Sequence, residues 1–177
     1  MIRDKEKIIK DRDYMDIISD LLKQEKVQQM KQYRQHHNMN CFDHCLFVSY
    51  NTYLICKKRH LDYISAARAG MLHDLFLYDW RKRENGRKGL HAFTHGKTAY
   101  EQASTFLNLN EKEKDIIIKH MWPVTIEFPK SIEGFILTFV DKYCALSESF
   151  EILKSRLFMK KAFRYAYLAA CLFIIKI

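Results

Sequence analysis

The run Ala69-Gly70-Met71-Leu72-His73-Asp74-Leu75-Phe76 constrains this chain more than any other stretch. Ile64, Ala67, Met71, Leu75 and Phe76 recur near helical spacing with small residues between them, which predicts a helix over 63–77 packed on most of its circumference. His73 and Asp74 therefore stand near the end of a buried rod. A carboxylate left there without a partner costs several kcal/mol, so something strongly positive must match it, and a divalent cation is the strongest candidate. Taken alone, a His-Asp dipeptide more often marks a hydrogen-bonded helix end than a ligand pair. Its company favours ligation.

His44 lies upstream in Cys41-Phe42-Asp43-His44-Cys45, His95 and His120 lie downstream, and Asp141 follows in Phe139-Val140-Asp141-Lys142. Each falls in, or at the start of, an apolar helical pattern. A buried helix predicted over 42–59 carries His44 in its first turn, and Asp62 offers an N-cap for the next. His95-Gly96-Lys97 opens another helix, where Gly96 would let the backbone approach a bound ion. A capping box at Asn110-Glu111-Lys112-Glu113 starts the helix that delivers His120, and a helix over 131–146 carries Asp141 within an apolar face.

Only five Gly and two Pro interrupt the 177 residues, and helix formers dominate between them, so the expected fold is all-α, a single-domain helical bundle. Residues 1–40 read as an N-terminal packing helix and a connection, 41–148 as the domain with the candidate ligands, and 149–177 as a basic then apolar helix packing on that domain. Within the first part a charge-rich stretch over 1–13 precedes a helix over 14–30. Residues 32–40 read as a polar connection, whose His36-His37 doublet is a solvated loop feature rather than a ligand pair. The apolar run 166–175 is shorter than the roughly 20 residues that cross a bilayer, which points to core packing or a homodimer interface and no transmembrane span.

Lys and Arg outnumber Asp and Glu by 30 to 21, a net charge of +9 that favours acidic partners. No helix-turn-helix, zinc-finger or RNA-binding aromatic motif occurs and the basic residues are dispersed, which argues against sequence-specific nucleic-acid binding. The cationic loop 81–89 leaves the His-Asp helix at the rim of the expected site, where Arg81 and Arg83 are placed to hold phosphates, and Lys97 is a further candidate phosphate contact. Trp80, Phe93 and Trp122 are candidates for stacking on a base. Five cysteines, an odd number with no leader-like segment before them, fit a reduced, cytoplasmic protein. Cys41 and Cys45 flank His44, but no second pair completes a tetrahedral zinc set, so they read as small buried apolar residues.

The ordered set His44, His73-Asp74, His95, His120 and Asp141 resembles the HD-domain metal-dependent phosphohydrolase superfamily over residues 40–148. The local contexts Ala-Gly-Met-Leu-His-Asp at 69–74, His-Gly-Lys-Thr-Ala at 95–99 and Val-Asp-Lys at 140–142 carry the resemblance. The two additional histidines resemble the binuclear branch, which includes HD-GYP phosphodiesterases and symmetrical diadenosine-tetraphosphate hydrolases. Leu-Phe-Leu follows the His-Asp pair where many relatives have Ile-Gly-Lys, and no Gly-Tyr-Pro triplet occurs.

The resemblance implies an HD-type bundle binding two divalent transition-metal ions, with iron, manganese, cobalt, zinc and nickel not distinguished by the N/O donor set. It assigns His44, His73, Asp74 and Asp141 to one ion and Asp74, His95 and His120 to the other, the Asp74 carboxylate bridging. The implied reaction is hydrolysis of a phosphoester or phosphoanhydride, a nucleotide above all, by a metal-activated water, with Asp74 and Lys97 in catalytic roles. Two other readings stand beside it: a non-catalytic regulatory or scaffold domain, and a protein resembling the di-iron oxygenases of related helical sites.

Overall fold

A computed structural model describes residues 2, 4–36, 39–82 and 89–147. The chain separates into two compact units, Met1–Cys144 and Ala145–Ile177, and the first carries the candidate ligands. The expected C-terminal packing helix and dimer surface lie outside the described residues. Among the described residues no helix is long and apolar enough to cross a membrane.

The order is α1 (Lys5–Lys10), α2 (Arg12–Leu22), α3 (Glu25–Gln29), a 3-10 turn (Met30–Gln32), β1 (Arg34–His36), β2 (Met39–Asn40), α4 (Cys41–Lys58), α5 (Tyr63–Leu72), α6 (His91–Ser104) and α7 (Glu111–Lys119). A further helix, α8, spans 132–147. This is the all-α fold that the composition predicts, with one small antiparallel hairpin added.

α4 is the central rod. It is buried on nearly every side, from Cys41 through Tyr53 to Cys56, and α5 lies along it. Their backbones approach closely because Gly70 has no side chain: a Cβ there would meet Ser49 Cα at 2.7 Å. The Ser49 hydroxyl donates to Ala67 O at 2.6 Å and accepts from Tyr14 OH at 2.8 Å, which brings α2 into the same seam. Gly96 does the same for α6 and α7, since its Cβ would meet Ile118 O at 2.7 Å and Ile117 O at 2.9 Å. Gly96 thus serves close helix contact.

Several boundaries differ from the sequence expectation. The helix expected over 14–30 breaks after Leu22, because Tyr14, Ile18 and Leu21 share one face whose continuation would present Glu25 and Gln28 to the core. Gln24 turns extended, the phase resets, and Val27 and Met30 become fully buried instead. The charge-rich start is also helical in part, as α1, with Asp4 capping it and Ile8 buried. Within the polar stretch 32–40, β1 and β2 pair antiparallel, Arg34 with Asn40 and His36 with Met39. α5 ends at Leu72 rather than 77, and Ile64, expected inside, is 49% exposed. On α8 the apolar face expected over Ile132, Phe135, Ile136, Phe139, Val140 and Tyr143 is only partly covered: Val140 is buried while Ile132, Phe139 and Tyr143 are exposed, and Leu137 and Cys144 are buried instead.

Candidate metal centre

Five elements deliver six side chains to one locus. His44 projects from the first turn of α4, whose N-cap Asn40 accepts from Asp43 N at 2.8 Å. His73 is the C-cap of α5 and Asp74 follows it in a tight turn, where Phe76 N donates to Asp74 O at 2.7 Å. His95 lies one turn inside α6, which starts at His91 rather than at His95. His120 is the C-cap of α7, whose capping box forms as the sequence predicts, Glu113 N donating to Asn110 Oδ1 at 2.8 Å and Asn110 N to Glu113 Oε2 at 2.9 Å. Asp141 comes from α8. All six are buried, none more than 8% exposed.

The atoms fall into two overlapping groups that could hold a metal, His44, His73, Asp74 and Asp141 in one and Asp74, His95 and His120 in the other, with the ligand atoms of each within 4.8 Å of one another. Asp74 is common to both. Its Oδ2 lies 3.3 Å from His73 Nε2 and 3.8 Å from His44 Nε2, while its Oδ1 lies 3.2 Å from His95 Nε2 and 3.6 Å from His120 Nε2. His44 Nε2 is 3.0 Å, and His73 Nε2 3.6 Å, from Asp141 Oδ1. Ligands bound about 2.1 Å from one cation stand roughly 3.0 to 3.4 Å apart in octahedral or tetrahedral arrangements, so the separations of 3.0, 3.2 and 3.3 Å match the edges of a coordination shell and those of 3.6 to 3.8 Å are slightly longer.

The ring orientations fit a cation as well. His73 Nδ1 bonds Gly70 O, His95 Nδ1 bonds His91 O and His120 Nδ1 bonds Ile117 O, each at 2.8 Å. A carbonyl accepts, so each Nδ1 carries the proton and each Nε2 turns toward the cluster as a donor atom for a cation. His73 Nε2 and Asp74 Oδ1 are buried without a hydrogen-bond partner, which a bound ion would relieve. Both α5 and α7 also aim their C-terminal, partially negative ends at the locus, because His73 and His120 are their C-caps.

Without an ion the charges settle among the side chains. Burial works against the His73 cation, yet the Asp74 charge and further polar contacts hold His73 well above the ordinary histidine value. Burial likewise opposes ionisation of Asp74 and Asp141, but His73, together with His120 and His95 for Asp74 and with His44 for Asp141, holds both carboxyls well below the usual range. The locus is built for positive charge.

Residues outside the predicted set also contribute. Gln35, 6% exposed, donates its Nε2 hydrogen to Asp74 Oδ2. Cys41 Sγ donates to Asp74 O at 3.0 Å, so this cysteine supports the turn of the His-Asp pair instead of merely filling space. Lys142 Nζ donates to His120 O at 2.9 Å and stands 3.9 Å from Asp141 Oδ2, a cation beside the ligands that the Val-Asp-Lys context could have flagged. His91 stacks on His95 with ring centroids 4.5 Å apart, and Trp80 stacks on His91 at 5.5 Å.

Among the described residues, Lys97 and Arg81, expected as substrate contacts, pair with carboxylates outside the six candidate ligands. Lys97 follows His95 by two residues, roughly 200° around α6. It is exposed, pairs with Glu101 at 3.8 Å and lines a surface groove with Phe93, Ile118, Val124 and Ile126 that includes none of the six ligands. Arg81 Nε and Nη2 engage the Asp79 carboxylate at 2.8 Å each. Arg83 lies outside the described residues. Of the aromatics, Phe93 is exposed on the Lys97 groove and Trp122 packs edge-on against Phe135.

Comparison with protein-family models, with curated proteins and with solved structures finds no match for this chain.

Proposed function

We propose that the chain is a metal-dependent phosphohydrolase of HD type, acting on a phosphoester or phosphoanhydride and above all on a nucleotide. The observation that carries this reading is the division of the Asp74 carboxylate, one oxygen facing His73 and His44 and the other facing His95 and His120. A residue so placed would be a ligand to both of two adjacent cations. Divalent ions held there would acidify a water and polarise a phosphoryl oxygen, which is the chemistry phosphoester hydrolysis requires.

The protein's own groups do the rest. Backbone carbonyls of Gly70, His91 and Ile117 fix three imidazoles in the orientation a ligand needs. The Asp74 and Asp141 carboxylates remain ionised, supplying two negative charges against the ions. The Lys142 ammonium, part-exposed beside Asp141, adds attraction for a substrate anion, in keeping with the net charge of +9. The side chains of Asp141 and His95, 12% and 6% exposed, form the edge through which a phosphoryl group would meet the site.

The test is a phosphate-release screen over nucleotides and simple phosphoesters with manganese-, cobalt- and iron-loaded protein, run beside oxygen consumption on the same samples. Phosphate release that depends on the metal supports the proposal. Oxygen uptake without phosphate release would replace it by an oxygenase, and neither activity in fully loaded protein would leave a binding or scaffold domain.

A further inference from the structure

Strand β1 lies outside the stretch that resembles a known family, yet it sends one side chain into the centre. Gln35 is 6% exposed, its Nε2 donates to Asp74 Oδ2, and its main-chain oxygen accepts from Trp80 Nε1 at 3.1 Å, which pins the hairpin against the turn after α5. The amide orientation follows from chemistry. A carboxylate oxygen accepts only, so the NH2 group and not the carbonyl must face Asp74.

That orientation leaves Gln35 Oε1 buried without a hydrogen-bond partner. The nearby imidazole Nδ1 hydrogens of His73, His95 and His120 are engaged by backbone carbonyls, and the carboxylates offer none. An apolar side chain would fill the same space without an unsatisfied carbonyl, so the amide is retained for something other than packing. Its N–H takes one lone pair of Asp74 Oδ2, leaves the other free and fixes the carboxylate plane, while Oε1 is available to a hydrogen-bond donor that arrives with the ions, water being the smallest.

We infer that Gln35 is a positioning residue of the metal centre, holding Asp74 in the orientation that serves both ligand groups. The inference rests on the metal-binding reading above and adds to it a residue from a separate element. Outer-shell partners of this kind alter metal affinity by about 10- to 100-fold when removed.

Gln35→Leu and Gln35→Met, two apolar replacements of similar size, test it on the full chain. Metal-free protein is titrated calorimetrically with Mn2+, and its thermal midpoint and phosphate release are measured alongside. The expected result is a metal-free midpoint within about 3 °C of wild type together with Mn2+ affinity lowered on the order of tenfold or more. Affinity within twofold of wild type in both variants overturns the inference, as does an affinity loss that appears only with a collapse of the metal-free midpoint, since Gln35 would then be merely structural. Wild-type protein that binds Mn2+ but releases no phosphate would end the hydrolase proposal and leave Gln35 to be judged on binding alone. Turnover with unchanged binding in both variants would do the reverse.

Discussion

The Nε2 atoms of His95 and His120 face each other at 2.9 Å while both Nδ1 atoms are held by backbone carbonyls. Two lone pairs do not sit at that distance unless a cation or a proton lies between them. Without an ion, a proton on one Nε2 would satisfy the pair. Burial disfavours charge on both rings, but the neighbouring Asp74 carboxylate raises His95 above the ordinary value, whereas burial and the charges of His95 and His73 leave His120 below it.

A pH dependence follows with a definite sign. His73 and His95 have folded-state values above the unfolded 6.5, so the stability they contribute is fully present below pH 6.5 and is lost as pH rises through the folded values. Ions must displace the same protons, so affinity moves the other way, rising by about tenfold per pH unit for each proton displaced. Between pH 6.5 and 8 the metal-free thermal midpoint should fall while calorimetric Mn2+ affinity climbs. A metal-free midpoint that rises across that window would show that these imidazoles do not carry the charge.

Asp74→Asn keeps size and hydrogen bonding but removes the charge that both ligand groups share. Turnover should drop on the order of 100-fold and metal stoichiometry should fall. His120→Ala, which touches one group only, should retain more of both. Elemental analysis and phosphate release on the two variants check this, and equal losses would argue that the groups do not share a bridge.

Arg68 concerns stability rather than chemistry. It joins three helices, donating to both Asp20 oxygens at 2.7 and 2.9 Å, to Glu113 Oε1 at 2.9 Å and to Ile17 O at 3.1 Å. Glu113 is 3% exposed and also closes the capping box of α7. Arg68→Ala strands that carboxylate and should cost about 3 kcal/mol, read as a loss of denaturant midpoint with little change in m.

The parts legible in the sequence were those where periodicity and chemistry coincide. α4 shows its burial in an almost unbroken apolar stretch, α7 announces its start through Asn110 and Glu113, and the six candidate ligands are polar residues in, or at the ends of, apolar helical stretches. The end of α5 was less visible because Leu75 and Phe76 continue the apolar pattern after the chain has turned at His73. Gln35 was hidden for a different reason: a three-residue strand has no periodicity, and a glutamine in a polar stretch gives no sign of being drawn inward by a carboxylate 39 positions away. Lys97 follows His95 closely in sequence, but two residues along a helix place it roughly 200° away.

The neighbours Gly96 and Lys97 separate packing from phosphate contact. A Cβ on Gly96 would meet Ile118 O at 2.7 Å and Ile117 O at 2.9 Å, and backbone carbonyls of α7 cannot swing aside as a side-chain tip can. α6 must therefore back away from α7 and carry His95 from His120. Gly96→Ala should cost roughly 1 to 3 kcal/mol of stability. It should also weaken Mn2+ binding, even where low temperature keeps the variant folded. Lys97→Ala removes an exposed side chain paired only with Glu101 among the described contacts, so stability, binding and turnover should all stay within about twofold of wild type. A large loss of turnover in Lys97→Ala with binding intact would restore the phosphate-contact role that the sequence assigned to it. Full Mn2+ affinity in Gly96→Ala would mean that the spacing of α6 and α7 does not set the site.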